Sequence, residues 1–202
     1  MPHDDIRDLD SSAVRASVVL VSKVTASDLG KPTPCLAWTL GELIAHMTVQ
    51  HRGFAAAAAG HGSDPDAWRP GPPASDPAAG YAGYAEAAGQ VLTAFAADGV
   101  LDRPFALPEI TTAMTFPGRQ AIAFHLVDYV VHSWDVGRAI GLQPDLEPAV
   151  LAVAVKVAEA VPGGAARLAP GAAFGPALAA PDQAGPLDRI LALLGRSPAW
   201  PA

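Results

Sequence analysis

The chain has 202 residues and a mass of 20.6 kDa, and half of its residues are hydrophobic while only 16% are charged. This composition predicts a single globular body with a substantial core and excludes a largely disordered protein. The formal net charge of -7, with only 13 scattered Lys and Arg residues, excludes the basic surface that nucleic-acid-binding proteins use to neutralise phosphates.

The sequence also carries signals about cellular location. It contains one cysteine, Cys35, so no disulfide can form within the chain. Its first residues, MPHDDIRDLDSS, are polar and acidic and lack the basic and apolar regions of a signal peptide. No stretch reaches the roughly 18 consecutive apolar residues of a membrane span. We therefore expect a cytoplasmic protein that binds neither membranes nor nucleic acid.

Apolar periodicity predicts three helices in the first half of the chain. Residues 11–29 open with serines that can cap a helix and then place valines near helical spacing. Thr39 is the predicted N-cap of a second helix over residues 40–60, with a glutamate three residues later that completes a capping box. Residues 61–78 are dense in Gly, Pro, Ser and Asp and predict a long surface loop before a third helix over residues 78–97.

The second half of the chain predicts one long helix and two shorter ones. Residues 98–118 favour an irregular or weakly extended crossing, and residues 119–140 form an apolar stretch that ends before Gly141, a suitable C-cap residue. Shorter helices are predicted over residues 147–160 and 186–195.

These elements predict an all-α fold. The sequence shows no internal repeat and no β-alternation longer than about four residues, which favours an antiparallel four-helix bundle. We expect residues 1–161 to form the bundle. Residues 162–202, rich in Pro, Gly and Ala, are expected to form an extension with a short helix that packs on it.

A narrow polar stripe lies on the predicted long helix. His125, Asp128, His132 and Asp135 share one face, because residues three, four and seven apart do so on a helix, and their neighbours are apolar. Asp128 and His132, at positions i and i+4, can direct an oxygen and an imidazole nitrogen at one metal ion. A solvated stripe without function explains this helix equally well when it is considered alone.

His46 is the candidate for a third ligand from another helix, because it interrupts the apolar run LGELIAHMTV. A lone histidine on an apolar face is more often a core residue than a ligand, and the pair on the long helix shifts the balance towards a ligand. The predicted metal site is therefore His46, Asp128 and His132. His125 shares the stripe and is placed at the outer rim, as a group that supports the ligands rather than binding the ion. The remaining candidates are weaker: His51 lies about 140° around the helix from His46, and the others lie in a loop or a tail, namely His61, His3 and Cys35.

Two segments together resemble a known family. The segment TPCLAWTLGELIAHM, followed about eighty residues later by DYVVHSWDVGRAIG, resembles DinB-like metal-binding proteins, in the branch related to the N-terminal domain of mycothiol-dependent maleylpyruvate isomerase. The C-terminal segments FGPALAAPD and LDRILALLGRSPAW are similar to those of an actinobacterial subfamily in that branch. The resemblance covers nearly the whole chain, and its motifs fix a Thr-Pro-Cys loop, one histidine and an Asp-x-x-x-His-x-Trp-Asp run.

The resemblance implies a four-helix bundle that holds a divalent metal near one end, between helices two and four. By position, the family's ligands fall on His46, Asp128 and His132. Many members have a third histidine where this chain has Asp128, and the carboxylate makes a bound metal a weaker Lewis acid. The isomerase has a further C-terminal domain, whereas the region after residue 161 is too short and too different to be that domain. We therefore do not expect isomerase activity.

The leading functional hypothesis is a metal-dependent thiol S-transferase that uses mycothiol or a similar thiol on a small electrophile. Two nitrogens and one oxygen suit zinc best, although nickel, iron or manganese also fit. Asp135 and His125 are candidates for orienting ligands or handling protons, and Arg52 and Arg138 are weaker candidates for binding an acidic cofactor or substrate.

Two rival hypotheses remain open. One is a non-catalytic, metal-stabilised bundle that binds a small molecule or regulates a partner, and the other is metal-assisted hydrolysis with the same ligands. The expected partner is a small molecule, and the oligomeric state, including a homodimer, stays open.

Overall fold

The computed structural model describes residues 5–35, 38–168, 173–180 and 182–201. Within these residues the chain forms six α-helices and one small antiparallel sheet, so the predicted all-α class is confirmed. In chain order the elements are α1 (Ile6–Val21), α2 (Leu40–Ala58), α3 (Pro77–Phe95), β1 (Pro104–Leu107), β2 (Thr111–Pro117), α4 (Gly118–Ile140), α5 (Pro148–Ala160) and α6 (Pro186–Leu193).

Helices α1 to α4 form the predicted four-helix bundle. Helix α1 packs against α3 and α4, and α2 packs against the same two helices. Each helix turns one apolar face inward, because its large apolar residues recur at three- and four-residue intervals. Leu43 and Met47 of α2 and Leu126 and Val130 of α4 show this spacing, and all four are buried in the same cluster. The bundle thus supplies a rigid frame for side chains on α2 and α4.

Side-chain caps decide where the first two helices begin. Asp5 accepts a hydrogen bond from the backbone in the first turn of α1, so the prediction of a helix over residues 11–29 is wrong at both ends: α1 starts earlier and stops at Val21. At α2 the capping box is confirmed, with Thr39 and Glu42 bonded to each other's backbone N–H groups.

A β-hairpin lies within residues 98–118, the segment predicted to be an irregular or weakly extended crossing. Strands β1 and β2 pair antiparallel, with Phe105 opposite Phe116 and an irregularity in register before Leu107. Both phenylalanines are buried, and the hairpin contacts α2 and α4. These strands escaped prediction because so few of their residues alternate between buried and exposed positions.

The C-terminal helices lie on the outside of the bundle. Helix α5 packs against α4 and α1, and α6 packs against α5. Ile190, Leu191 and Leu194 are buried within the main core cluster, which ties the end of the chain to the bundle. The division into a bundle and an extension at residue 161 stays a prediction. Among the described residues, every helix is too short or too polar to cross a bilayer.

Candidate metal centre

Three side chains from α2 and α4 meet between the two helices. A ring nitrogen of His46, a carboxylate oxygen of Asp128 and a ring nitrogen of His132 all lie within 4.8 Å of one another. His132 Nε2 is 3.4 Å from Asp128 Oδ1, which agrees with their spacing of four residues on one helix. The three predicted ligands are therefore grouped closely enough to be candidates for one ion. That a metal binds there stays a prediction.

An aromatic ring from the loop before α2 holds His46 in place. Trp38 stacks on the imidazole with ring centroids 4.2 Å apart and an interplanar angle of 25°. The His46 ring in turn meets the His132 ring edge-on, with centroids 5.4 Å apart. Sequence analysis missed this role of Trp38, although its place just before the capped start of α2 was a usable signal.

The surroundings of His46 favour the form that can bind a metal. Burial lowers the pKa of His46 to about 4, and the nearby His132 and Arg196 act in the same direction, while Asp128 opposes them. The imidazole is therefore neutral at pH 7. A neutral ring keeps the lone pair that a metal ligand needs.

Asp135 contacts the His132 ring. Its carboxylate is fully buried and accepts a hydrogen bond from His132 Nδ1 at 3.0 Å. A neutral His132 ring that donates through Nδ1 has its lone pair on Nε2, the nitrogen next to Asp128. Carboxylate–histidine pairs of this kind orient the ligands of many metal sites. The geometry agrees with the supporting role predicted for Asp135, and the role itself stays a prediction.

A buried arginine from the C-terminal segment extends this chain of contacts. Arg196 Nη2 lies 3.2 Å from Asp135 Oδ2, and Arg196 is 7% exposed. Sequence analysis missed this residue. The two partners are 61 positions apart, and nothing in the local pattern distinguishes Arg196 from an ordinary surface arginine.

The hairpin contributes a carboxyl group near Asp128. Gln50, which lies one turn beyond His46 on α2, donates a hydrogen bond to Glu109 at 2.5 Å. Burial raises the pKa of Glu109, as does the neighbouring Asp128, while the bond from Gln50 lowers it. Sequence analysis missed Glu109 because it did not predict the hairpin that carries it.

The rim position predicted for His125 is wrong. Its Nδ1 pairs with Asp10 of α1 at 2.7 Å, and its Nε2 with His51 Nδ1 at 3.1 Å. All three side chains are fully buried. His125 lies seven residues before His132, about 10 Å along the helix axis, so it faces a different layer of the bundle. Its two ring nitrogens are used within the core and are not available to support the ligands.

The two arginines proposed as binding residues do not join the candidate centre. Arg52 is exposed and lines a cavity of about 180 Å³ together with residues of α1, α2 and α3. On α2 it lies about 120° from His46, so it points away from the candidate centre. Arg138 donates a hydrogen bond to the carbonyl oxygen of Trp200, and its guanidinium lies over the ring of Trp134. Neither is placed as a ligand-binding group at the centre.

The other weak candidates do not join the cluster either. Cys35 is half-buried in the loop before α2 and lies close enough to Arg196 to influence the pKa of that arginine. Among the described residues, the group of donor atoms does not include its sulfur. His61 is exposed, and His3 lies outside the residues that the structure describes.

Comparison with known proteins places the chain among its relatives. Residues 11–137 match the family described as the mycothiol maleylpyruvate isomerase N-terminal domain. Two uncharacterised proteins from two strains of Mycobacterium tuberculosis are each 30% identical over 184 residues, which cover 90% of this chain and 92% of theirs.

Two solved structures share the fold. They are crystal structures of the mycothiol-dependent maleylpyruvate isomerase, a mutant and the unmodified enzyme, with TM-scores of 0.56 and 0.53 and 15% identity in both cases. The aligned parts cover 76% and 79% of this chain, and 68% and 69% of theirs. The family match spans more than half of the chain and includes all three candidate ligands. The chain therefore belongs to the mycothiol maleylpyruvate isomerase N-terminal domain family.

Proposed function

We propose that this protein binds a divalent metal at His46, Asp128 and His132 and transfers a low-molecular-weight thiol, mycothiol or a close analogue, to a small electrophile. The observation that carries the proposal is the grouping of three donor atoms within 4.8 Å, one of them on a ring oriented by a buried carboxylate. Structural zinc sites use four protein ligands, whereas catalytic sites use three and leave a position open. Among the described residues, the group offers three.

The residues present fit a metal. His46 is neutral at pH 7, and a neutral His132 ring that donates through Nδ1 to Asp135 can offer the lone pair of its Nε2. Two nitrogens and one carboxylate oxygen suit zinc, and nickel, iron and manganese accept the same donors. A divalent ion held there would lower the pKa of a coordinated thiol, so that the thiolate is available at neutral pH.

The chain's own residues would divide the remaining work. Asp135 and Trp38 hold the two ligand rings in orientation. The side chain of Asp128 is 23% exposed, which leaves a side from which small molecules can approach. Glu109, whose pKa is raised by burial and by the charge of Asp128, would accept the thiol proton. With an epoxide, the thiolate sulfur bonds to a ring carbon, the carbon–oxygen bond breaks, and the oxygen takes up a proton from Glu109.

The family supports the choice of thiol. Its description names mycothiol, and the two solved structures of similar fold are those of a mycothiol-dependent enzyme. Their isomerase activity is not part of the proposal, because at 15% identity those structures support the fold alone.

The decisive experiment compares thiol binding and turnover with and without metal. Zinc-reloaded protein should bind mycothiol by calorimetry and consume an epoxide or a chlorinated aromatic only when thiol and metal are both present. Asp135→Asn should lower metal affinity or turnover by roughly 10- to 100-fold, because it weakens the support of His132.

Each other outcome has a defined meaning. Consumption of the electrophile by metal-loaded protein without thiol would replace the proposal with metal-assisted hydrolysis. Zinc-loaded protein that binds no thiol and turns over no substrate across a panel would contradict it. The non-catalytic binding bundle would then become the better account.

A further inference from the structure

One carboxylate oxygen connects the C-terminal segment to the candidate ligands. Asp135 Oδ2 accepts a hydrogen bond from His132 Nδ1 at 3.0 Å and from Arg196 Nη2 at 3.2 Å. Asp135 is fully buried and Arg196 nearly so. Since a buried charge without a partner is strongly destabilising, the guanidinium is the group that allows this carboxylate to stay buried beside His132.

The backbone after α6 positions Arg196 for this contact. Gly195 has a φ of 79°, in the left-handed region that favours glycine. The N–H groups of Gly195 and Arg196 bond back to the carbonyls of Ala192 and Leu191, which is the Schellman pattern that ends a helix. A Cβ on Gly195 would also lie 2.8 Å from the backbone of Gly175, so this turn is closely packed.

Two further contacts involve the C-terminal segment. The Arg196 guanidinium lies 6.0 Å from the centre of the Phe174 ring. Beyond it, the carbonyl oxygen of Trp200 accepts a hydrogen bond from Arg138 of α4. The segment thus contacts α4 at Asp135 and again at Arg138, three residues apart.

The charge of Arg196 is maintained despite its burial. Burial alone would lower the pKa of Arg196, but Asp135, Cys35 and Asp128 together outweigh it and leave that pKa raised. Two more buried atoms at this junction, Asp135 Oδ1 and Arg196 Nε, have no hydrogen-bond partner in the described structure. The contact between Arg196 Nη2 and Asp135 Oδ2 is therefore the hydrogen bond that joins these two side chains.

We propose that Arg196 is a positioning residue of the metal centre: through Asp135 it fixes the ring of His132, so that metal binding and docking of the C-terminal segment stabilise each other. This inference rests on the proposed metal site. Arg196 lies outside the residues 11–137 that match the family, so the support comes from a part of the chain beyond the shared domain. Thermodynamic linkage requires the coupling to act in both directions.

Zinc affinity alone provides the first test. Arg196→Gln should bind Zn²⁺ roughly 10- to 100-fold more weakly than the wild type in a chelator-competition titration, the range seen when outer contacts of metal ligands are removed. Arg189→Gln is the matched control. Arg189 lies seven residues earlier, in α6, is exposed and pairs with Glu159, so its loss should leave zinc affinity unchanged.

A double-mutant cycle and hydrogen exchange separate positioning from general destabilisation. If Arg196 acts through Asp135, the double variant with Arg196→Gln and Asp135→Asn should bind zinc no more weakly than Asp135→Asn alone. Zinc should also slow amide exchange in residues 194–200 of the wild type but not of Asp135→Asn. An arginine with a purely structural role would change neither the coupling in the cycle nor the effect of zinc on amide exchange.

The outcomes distinguish this inference from the proposed function. Wild-type protein that binds no zinc would overturn the metal site itself. If Arg196→Gln binds zinc as tightly as the wild type, only the role of Arg196 would be overturned. The same holds if the losses of zinc affinity in the double-mutant cycle are strictly additive. Arg196→Lys covers the case in which Arg196→Gln does not fold. It keeps the charge but not the planar geometry, and should bind zinc less tightly than the wild type.

Discussion

Replacing His132 with alanine is expected to abolish binding of a divalent metal. The substitution removes one of three ligand atoms and also one of the two side chains that bond to the buried Asp135. Two remaining protein ligands are fewer than known catalytic zinc sites use. After zinc loading and removal of unbound ion, elemental analysis should give about one ion per wild-type chain and none for the variant.

His61→Ala is the control for this substitution. His61 is exposed and lies outside the cluster, so the control removes an imidazole without touching a predicted ligand. It should retain the wild-type zinc content. If His132→Ala retained its ion as well, the ligand set would have to be redrawn.

Replacing His125 with alanine should have the opposite profile: a large loss of stability with zinc affinity preserved. The change leaves Asp10 as a buried carboxylate without its partner and opens a cavity beside Phe54 and Phe95. Breaking a buried pair in this way costs about 3 to 5 kcal/mol in the free energy of unfolding. Urea denaturation of metal-free protein measures this loss.

A gentler variant covers the case in which His125→Ala does not fold. His125→Asn keeps a polar group near Asp10 and should lose less stability while binding zinc as the wild type does. Weakened zinc binding at wild-type stability would instead return His125 to the supporting role that its sequence position suggested.

The candidate ligands could be predicted because their signals are local. Asp128 and His132 are four residues apart in an apolar helix, and His46 interrupts an apolar run whose period is that of a helix. The bundle packs such faces together, so three side chains on two helices come within 4.8 Å.

The same periodicity predicts a wrong position for His125. It shares a stripe with His132, but a stripe says nothing about which side chains other helices present at each level. Asp10 and His51 come from α1 and α2, and their contacts with His125 depend on how these helices pack. Whether a polar residue of α4 joins the candidate centre or the buried core therefore depends on tertiary packing.

Residues outside the bundle were the hardest to predict. Glu109 depends on a hairpin whose few alternating residues lie below the length at which a pattern is informative. Arg196 depends on a glycine turn 60 residues beyond Asp135 in the chain. Trp68 lies in a segment predicted to be a surface loop, yet it is buried. Its indole N–H donates a hydrogen bond to the Gly62 carbonyl, and its ring packs on Gly53.

Anomalous diffraction from zinc-soaked crystals tests the central claim most directly. Data collected on either side of the zinc absorption edge locate the ion without assuming its ligands. The account predicts one strong peak within roughly 2.0 to 2.3 Å of a nitrogen of His46, a nitrogen of His132 and an oxygen of Asp128, with at least one coordination position not occupied by protein. A zinc peak elsewhere, or none between α2 and α4 at saturating zinc, would contradict it.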